Sequence, residues 1–325
     1  VADGTADGEG TDVGTDVGID GGAASAEEAA VHDVGDGARP VETEPAIVVP
    51  ADPEADAAVD AAGGPAFEDA ARDAAEAPYV LAPLKAPGFK VMHVQDMDYR
   101  SSCPTFLGCL KEIRAWSRAH PNHVPILVIM NLKDDNLAGV PGAATVLPFD
   151  AKAMDQIDAD IRSVFPERAL ITPDKVQGRA ATLAAAVKVG GWPRLKAARG
   201  KVMFAMDESG PKPELYRGTR NSLEGRAMFI NTDEGPAAAY VTLNEPAELA
   251  GRIEAALANG LIVRTRADAD TLEARANDRT RQAQAFASGA QYVSTDYLKP
   301  DPRFGPYEAR LPGGGVARLN PKTGK

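Results

Sequence analysis

The chain is poor in the residues that most often carry chemistry. Its 325 residues include two cysteines, four histidines and two tryptophans, and aromatics make up 6%. Two cysteines with no second Cys/His pair at ligand spacing argue against a structural zinc site. No run of 18 apolar residues occurs, which argues against a membrane-spanning helix. Neither a GxGxxG run nor a P-loop is present, so nucleotide binding by those routes is disfavoured. The chain begins with Val, and its start lacks the basic, apolar, small-residue order of a signal peptide.

Basic residues are scarce in one region only. Residues 1–77 carry 20 acidic and two basic side chains, whereas residues 78–325 carry 27 acidic and 33 basic. The net charge of −12 therefore averages two different materials. The first is rich in Ala, Gly, Asp and Glu, repeats itself (Thr11-Asp12-Val13-Gly14, then Thr15-Asp16-Val17-Gly18) and has one aromatic, Phe67. Such a segment buries too little apolar surface to offset its ordering entropy, so 1–77 is expected to be largely disordered. Its charge repels DNA, and no nucleic-acid partner is expected.

From residue 88 the pattern becomes regular. Apolar strands are expected at Lys90–Val94, Val124–Asn131 (fully buried), Lys201–Met206, Ala227–Ile230, Ala239–Leu243, Leu261–Val263 and Gln291–Val293. Amphipathic helices are expected at Pro104–Ala119, Ala153–Val164, Thr182–Val189, Pro246–Leu257 and Arg279–Ser288. In the first, Phe106, Leu107, Leu110, Ile113 and Trp116 share the apolar spacing. The tail from Pro300 to Tyr307 should wrap over the surface. Buried strands alternating with helices imply a parallel sheet. Strand after strand ends on polar residues, which is where a (β/α)8 TIM barrel gathers its site. An open doubly wound sheet is the alternative, but it more often shows a Gly-rich first turn.

Collected on one rim, those strand ends offer His93, Asp96, Asn131, Lys133, Asp134, Asp207, Asn231, Arg264, Arg266 and Asp296. One histidine with a lysine and two arginines suits an anionic substrate, most simply a phosphate ester. The acids could hold a hard cation such as calcium. His93 beside carboxylates is a natural general acid or base, or else a hydrogen-bonded structural residue. Cys103 and Cys109, six positions apart, fit either a local disulfide or two buried thiols.

Four segments together resemble the bacterial calcium-dependent phosphoinositide phospholipase C family. They are His93-Val94-Gln95-Asp96-Met97-Asp98-Tyr99-Arg100-Ser101, Asn131-Leu132-Lys133-Asp134-Asp135, Val263–Thr271 and Val293-Ser294-Thr295-Asp296-Tyr297. The resemblance runs from about residue 79 to the C-terminus and implies a TIM barrel, bound Ca²⁺ and two catalytic histidines. It implies cleavage of phosphatidylinositol by attack of the inositol 2-hydroxyl on phosphorus. His93 matches the second histidine, which protonates the diacylglycerol oxygen.

Upstream the pattern departs. No Gly-Ser-His-Asn-Ser-Tyr-like run occurs in residues 1–77, and His32 stands in no such motif. The nearest match to the family's metal-binding Glu-x-Asp is Gly37–Glu44, interrupted by Pro40 and followed by Pro45, both unwelcome in a central strand. A divergent enzyme and a chain whose N-terminal third is lost, replaced or mistranslated both fit, with the second preferred.

The expectation is thus an acidic segment over 1–77 and a phosphodiesterase barrel over 78–325, its first strand in doubt. His93 would be the catalytic acid, Lys133, Arg264 and Arg266 the substrate contacts, and Glu42, Glu44 and Asn131 the Ca²⁺ ligands. The protein would be a secreted or periplasmic monomer that meets phosphoinositide membranes peripherally. The rivals are a glycerophosphodiesterase and an inactive barrel that binds anionic lipid headgroups.

Overall fold

The computed structural model describes residues 81–96, 98–136 and 143–322, together with the backbone of Val31–His32. The proposed ligands Glu42 and Glu44, and nearly all of the acidic segment, lie outside the described residues. Strands are β1 (Val31–His32), β2 (Ile126–Met130), β3 (Leu170–Ile171), β4 (Val202–Met206), β5 (Met228–Ile230), β6 (Tyr240–Thr242), β7 (Ile262–Arg266) and β8 (Tyr292–Ser294). Helices are α1 (Ala82–Lys85), α2 (Phe106–Ala119), α3 (Ala151–Val164), α4 (Pro173–Gln177), α5 (Leu183–Lys188), α6 (Leu195–Ala198), α7 (Pro211–Arg217), α8 (Ala250–Ala258), α9 (Leu272–Ala276) and α10 (Thr280–Ala287).

The helices begin where the local chemistry permits. Thr105 caps α2 by accepting from Gly108 N (3.3 Å), and Asp150 caps α3 by accepting from Ala153 N (2.8 Å). Helix α3 buries Met154, Ile157 and Ile161 on one face, and Pro166 prevents its continuation. On α2 the buried positions are Phe106, Leu110 and Ser117, while Leu107 and Trp116 are exposed. The expected apolar face is therefore narrower than its spacing suggested, because only one side of α2 has a sheet to meet.

The strands form two four-stranded sheets, parallel throughout except at β1. All five residues of β4 are buried, and β2 runs along its full length from Ile126↔Val202 to Met130↔Met206. The rest of β4 is shared between β3, opposite Val202 and Met203, and β5, opposite Phe204 to Met206. A single parallel bridge, Asn231↔Tyr240, passes from β5 to β6, and Asn231 Oδ1 accepts from Thr242 N there (2.9 Å). Strands β6, β7 and β8 continue in parallel, and β1 joins β8 in antiparallel sense. Strand order departs from chain order at β4, which lies between β2 and β3 and also pairs β5, and both sheets share one core that includes Leu127, Phe165, Phe204, Phe229, Tyr240 and Tyr292.

Three expectations need correction. Lys90–Val94 is not a regular strand: it makes only the isolated bridges Lys90↔Thr105 and Val94↔Asp98. Strand β2 is half-buried except at Leu127 rather than fully buried. The tail runs over the surface from Pro300 to Pro306 as expected, but at its end Tyr307 is buried, with its hydroxyl on Ala267 O.

Candidate active site

The segment before His93 is pinned to the start of α2. Val91 N donates to Pro104 O (3.2 Å), Phe106 N donates to Phe89 O (3.1 Å), and a disulfide joins Cys103 to Cys109 with Cα atoms 5.4 Å apart. The disulfide alternative is the one that forms. Beyond it the chain folds back on itself. Val94 and Asp98 exchange both backbone bonds at 2.9 Å, and His93 N donates to Asp98 O (3.2 Å). The reversal passes through Asp96 at φ 62°, a left-handed conformation that aspartate tolerates better than most residues.

This turn lies on the loop that leaves β2. Lys133 Nζ donates to His93 O (3.1 Å), Gln95 Nε2 donates to Asp135 O (2.9 Å), and Asp96 Oδ2 accepts from Ala144 N (2.6 Å). The His93 ring stands half-exposed with Nδ1 2.9 Å from Asp98 Oδ2. Loss of hydration lowers the Lys133 ammonium below the usual lysine range, against the opposing pull of Glu208 and Asp98.

Behind Lys133 the ends of β2 and β4 are tied by Lys212, in the first turn of α7. Its ammonium bonds Asp134 Oδ1 (2.8 Å), lies 3.4 Å from Glu208 Oε2, and donates to Leu132 O. Glu208 in turn accepts from Leu132 N. Dehydration would lower Lys212, but the bonds and charges of Asp134 and Glu208 outweigh it and hold it above its ordinary value. Dehydration raises Glu208, only partly offset by Lys212 and Leu132 N. For Asp134 the order reverses: the bonds from Lys212 and Phe149 N overcome dehydration and depress it.

The arginines of β7 sit differently from one another. Arg264 is buried beneath the rim, bonded to Asn244 Oδ1 (2.6 Å) and 3.9 Å from Asp207 Oδ2. Arg266, two residues on, is partly exposed at the strand end. Its Nε donates to Asp268 O (3.2 Å), and it lies 3.7 Å from exposed Asp296. Asp268 is buried and accepts from Thr295 Oγ1 (2.5 Å), Asp296 N (2.8 Å) and Tyr307 Oη (3.1 Å). Dehydration nevertheless raises its carboxyl.

The structure therefore brings His93 and Lys133 together on the β2 side, and Arg264, Arg266, Asp207 and Asp296 on the β4, β7 and β8 ends. Asn131 is exposed just past β2. Asp98, Lys212 and Tyr307 were not singled out from the sequence. A clue existed for Lys212: a lysine in the first turn opposes the helix dipole, so it needs acidic partners. Among the described residues no group of three or more His, Cys, Asp or Glu could hold a metal ion. Asp134 and Glu208 are already engaged with an ammonium, so the described residues alone do not fit a calcium site.

Parallel strands alternating with helices, with Lys133, Arg264 and Arg266 at or near their C-terminal ends, define an α/β protein. The sequence matches the model of the family "Phosphoinositide phospholipase C, Ca²⁺-dependent" over residues 51–321. The chain belongs to that family. Residues 1–36 separately match a family of unknown function.

Similar solved structures include a Ca²⁺-dependent phosphatidylinositol-specific phospholipase C from Streptomyces antibioticus. It is 23% identical, with 59% of this chain and 70% of that chain covered and a TM-score of 0.43. Another is a calcium-dependent phosphoinositol-specific phospholipase C from Pseudomonas sp., 21% identical, with 49% of this chain covered and a TM-score of 0.38. The match spans 57% of the Pseudomonas chain. No curated protein matches the sequence.

Proposed function

We propose that the protein is a phosphodiesterase of the phospholipase C type acting on phosphatidylinositol or a related phosphoinositide. The observation that carries this reading is the His93–Asp98 pair held beside Lys133 (2.9 Å and 3.1 Å), in a chain of this family. The inositol 2-hydroxyl would form the new bond to phosphorus, its proton passing to water, while the bond from phosphorus to the glycerol oxygen breaks. The imidazolium of His93 would deliver its proton to that leaving oxygen, giving diacylglycerol and a cyclic inositol phosphate. Lys133 and Arg266 would face the phosphate charge, and buried Arg264 would act from beneath through its field.

The scaffold is proposed to be a (β/α)8-type barrel over 78–325, supported by the parallel pairing of β2 to β5 and of β6 to β8, with one parallel bridge between the two sets. Calcium dependence is proposed from the family, with Glu42, Glu44 and Asn131 as ligands, and no proton or bond change is assigned to the ion. The disulfide fits a secreted or periplasmic location. Peripheral contact with a phospholipid surface, as a monomer, completes the reading.

The test is product analysis on phosphatidylinositol vesicles with and without chelator. Cyclic inositol phosphate and diacylglycerol support the reading. Free glycerol phosphate would assign a glycerophosphodiesterase, and saturable binding without product an inactive headgroup binder. Turnover unaffected by chelator would remove calcium dependence.

A further inference from the structure

His93 has two ring nitrogens, and a proton donor must present one of them to substrate while the other is fixed. Asp98 Oδ2 lies 2.9 Å from Nδ1. A carboxylate is acceptor-only, so at this distance Nδ1 must carry the proton and Nε2 is left as the atom that exchanges protons. The pairing is local yet not accidental to the chain path. The mutual Val94–Asp98 backbone bonds bring position 98 back across from His93, and the left-handed Asp96 makes the reversal possible. Lys133 fixes the other side of the same residue by holding the His93 carbonyl at 3.1 Å.

We propose that Asp98 is the positioning residue of His93: it sets the Nδ1–H tautomer and aims Nε2 at the leaving oxygen. Asp98 acts through His93 and touches no reacting atom. A carboxylate in this place also stabilises the imidazolium that must exist before the proton is delivered. The catalytic part of this inference rests on the phospholipase reading, whereas the tautomer does not.

The experiment is ¹⁵N NMR of the His93 ring in the full chain, assigned by comparison with His93→Gln, at a pH where the ring is neutral. The wild type should show Nδ1 protonated. Asp98→Ala should shift the ring toward the Nε2–H form that free imidazole prefers, and Asp98→Asn, whose side-chain oxygen can still accept, should retain Nδ1–H. In the vesicle assay Asp98→Ala should lower kcat about 10- to 100-fold with little change in KM, within the ~10²–10⁴-fold worth of a proton donor. Asp98→Asn should recover part of the loss and shift the limb of the pH–rate profile that reports His93. An Nε2–H ring in the wild type, or the same tautomer in wild type and Asp98→Ala, would overturn the proposal. If the wild type releases no inositol phosphate, the phospholipase reading fails while the NMR result still decides what Asp98 does.

Discussion

The hydroxyl of Tyr292, in the last strand, donates to the carbonyl of Pro125 at the foot of β2, 3.3 Å away and 167 residues earlier. The bond links β8 to the residue before β2 through a side chain that is itself buried in the core. Burial pushes the phenol far above its ordinary range, so the hydroxyl stays a donor at any working pH. Tyr292→Phe should lower stability by on the order of 1 kcal/mol, the cost of one lost hydrogen bond to a buried carbonyl. A denaturant midpoint equal to wild type would show that this contact does not help hold the array together.

His93→Ala should reduce inositol phosphate release by roughly 10²–10⁴-fold. Because the ring is half-exposed, the unfolding transition should stay close to wild type. Lys133→Met should act differently, raising KM through lost phosphate attraction and loosening the turn whose carbonyl it holds. Unchanged turnover in both variants would exclude this rim as the active site.

Lys212 is tied to Asp134, Glu208 and the Leu132 carbonyl, and the three side chains are each less than one-fifth exposed. Lys212→Met would leave two carboxylates facing each other with their cation gone. The expected loss is about 1–3 kcal/mol, below the ~3–5 kcal/mol of a fully buried pair because some water reaches the cluster. Replacing Asp134 and Glu208 by Asn and Gln in the same variant should restore part of the stability. A single variant as stable as wild type in urea unfolding would refute the role.

The disulfide closes a short loop at the start of α2, beside the backbone bonds that hold the segment leading to His93. Chain-entropy reasoning gives about 2 kcal/mol for a loop of this size. Reduction, or Cys103→Ser with Cys109→Ser, should lower the melting temperature and increase hydrogen exchange at Val91 and Phe106. Exchange unaltered at those amides would show that the bridge does not secure the turn.

His123 packs against Trp116, with Nδ1 2.5 Å from Val124 O and Nε2 2.8 Å from Ser117 Oγ. Burial lowers its pKa from the ordinary 6.5, although the Val124 carbonyl pulls the other way. Between the lowered folded value and 6.5 the unfolded chain binds more protons, so stability rises with pH there and is lost as pH falls below about 6.5. His123→Gln should flatten that limb when urea midpoints are compared at pH 8 and pH 5.5. An equally steep limb in the variant would place the acid sensitivity elsewhere.

Much of the framework was legible because strand and helix periodicity are local. Apolar runs ending in polar groups marked β2, β4, β5, β6, β7 and β8, often to within a residue or two. The two-residue β3 was missed because Leu170–Ile171 is too short to show a period. Lys90–Val94 looked like a strand for the opposite reason. Its apolar residues pack beside the core, but its hydrogen bonds go to the start of α2 and back to its own turn.

By itself the sequence determined the α/β alternation, the charge break near residue 77 and the family. Those properties depend on residue type and order. What surrounds His93 was decided only by tertiary structure. Asp98 became its partner through one left-handed residue, and Lys212 reached Leu132 across 80 positions when β4 aligned with β2. Arg264 and Arg266, two apart on one strand, ended in different surroundings because the rim passes between them: one is buried on Asn244, the other lies beside exposed Asp296. Spacing along a chain assigns residues to a face. Their depth and partners come only from the elements packed across from them.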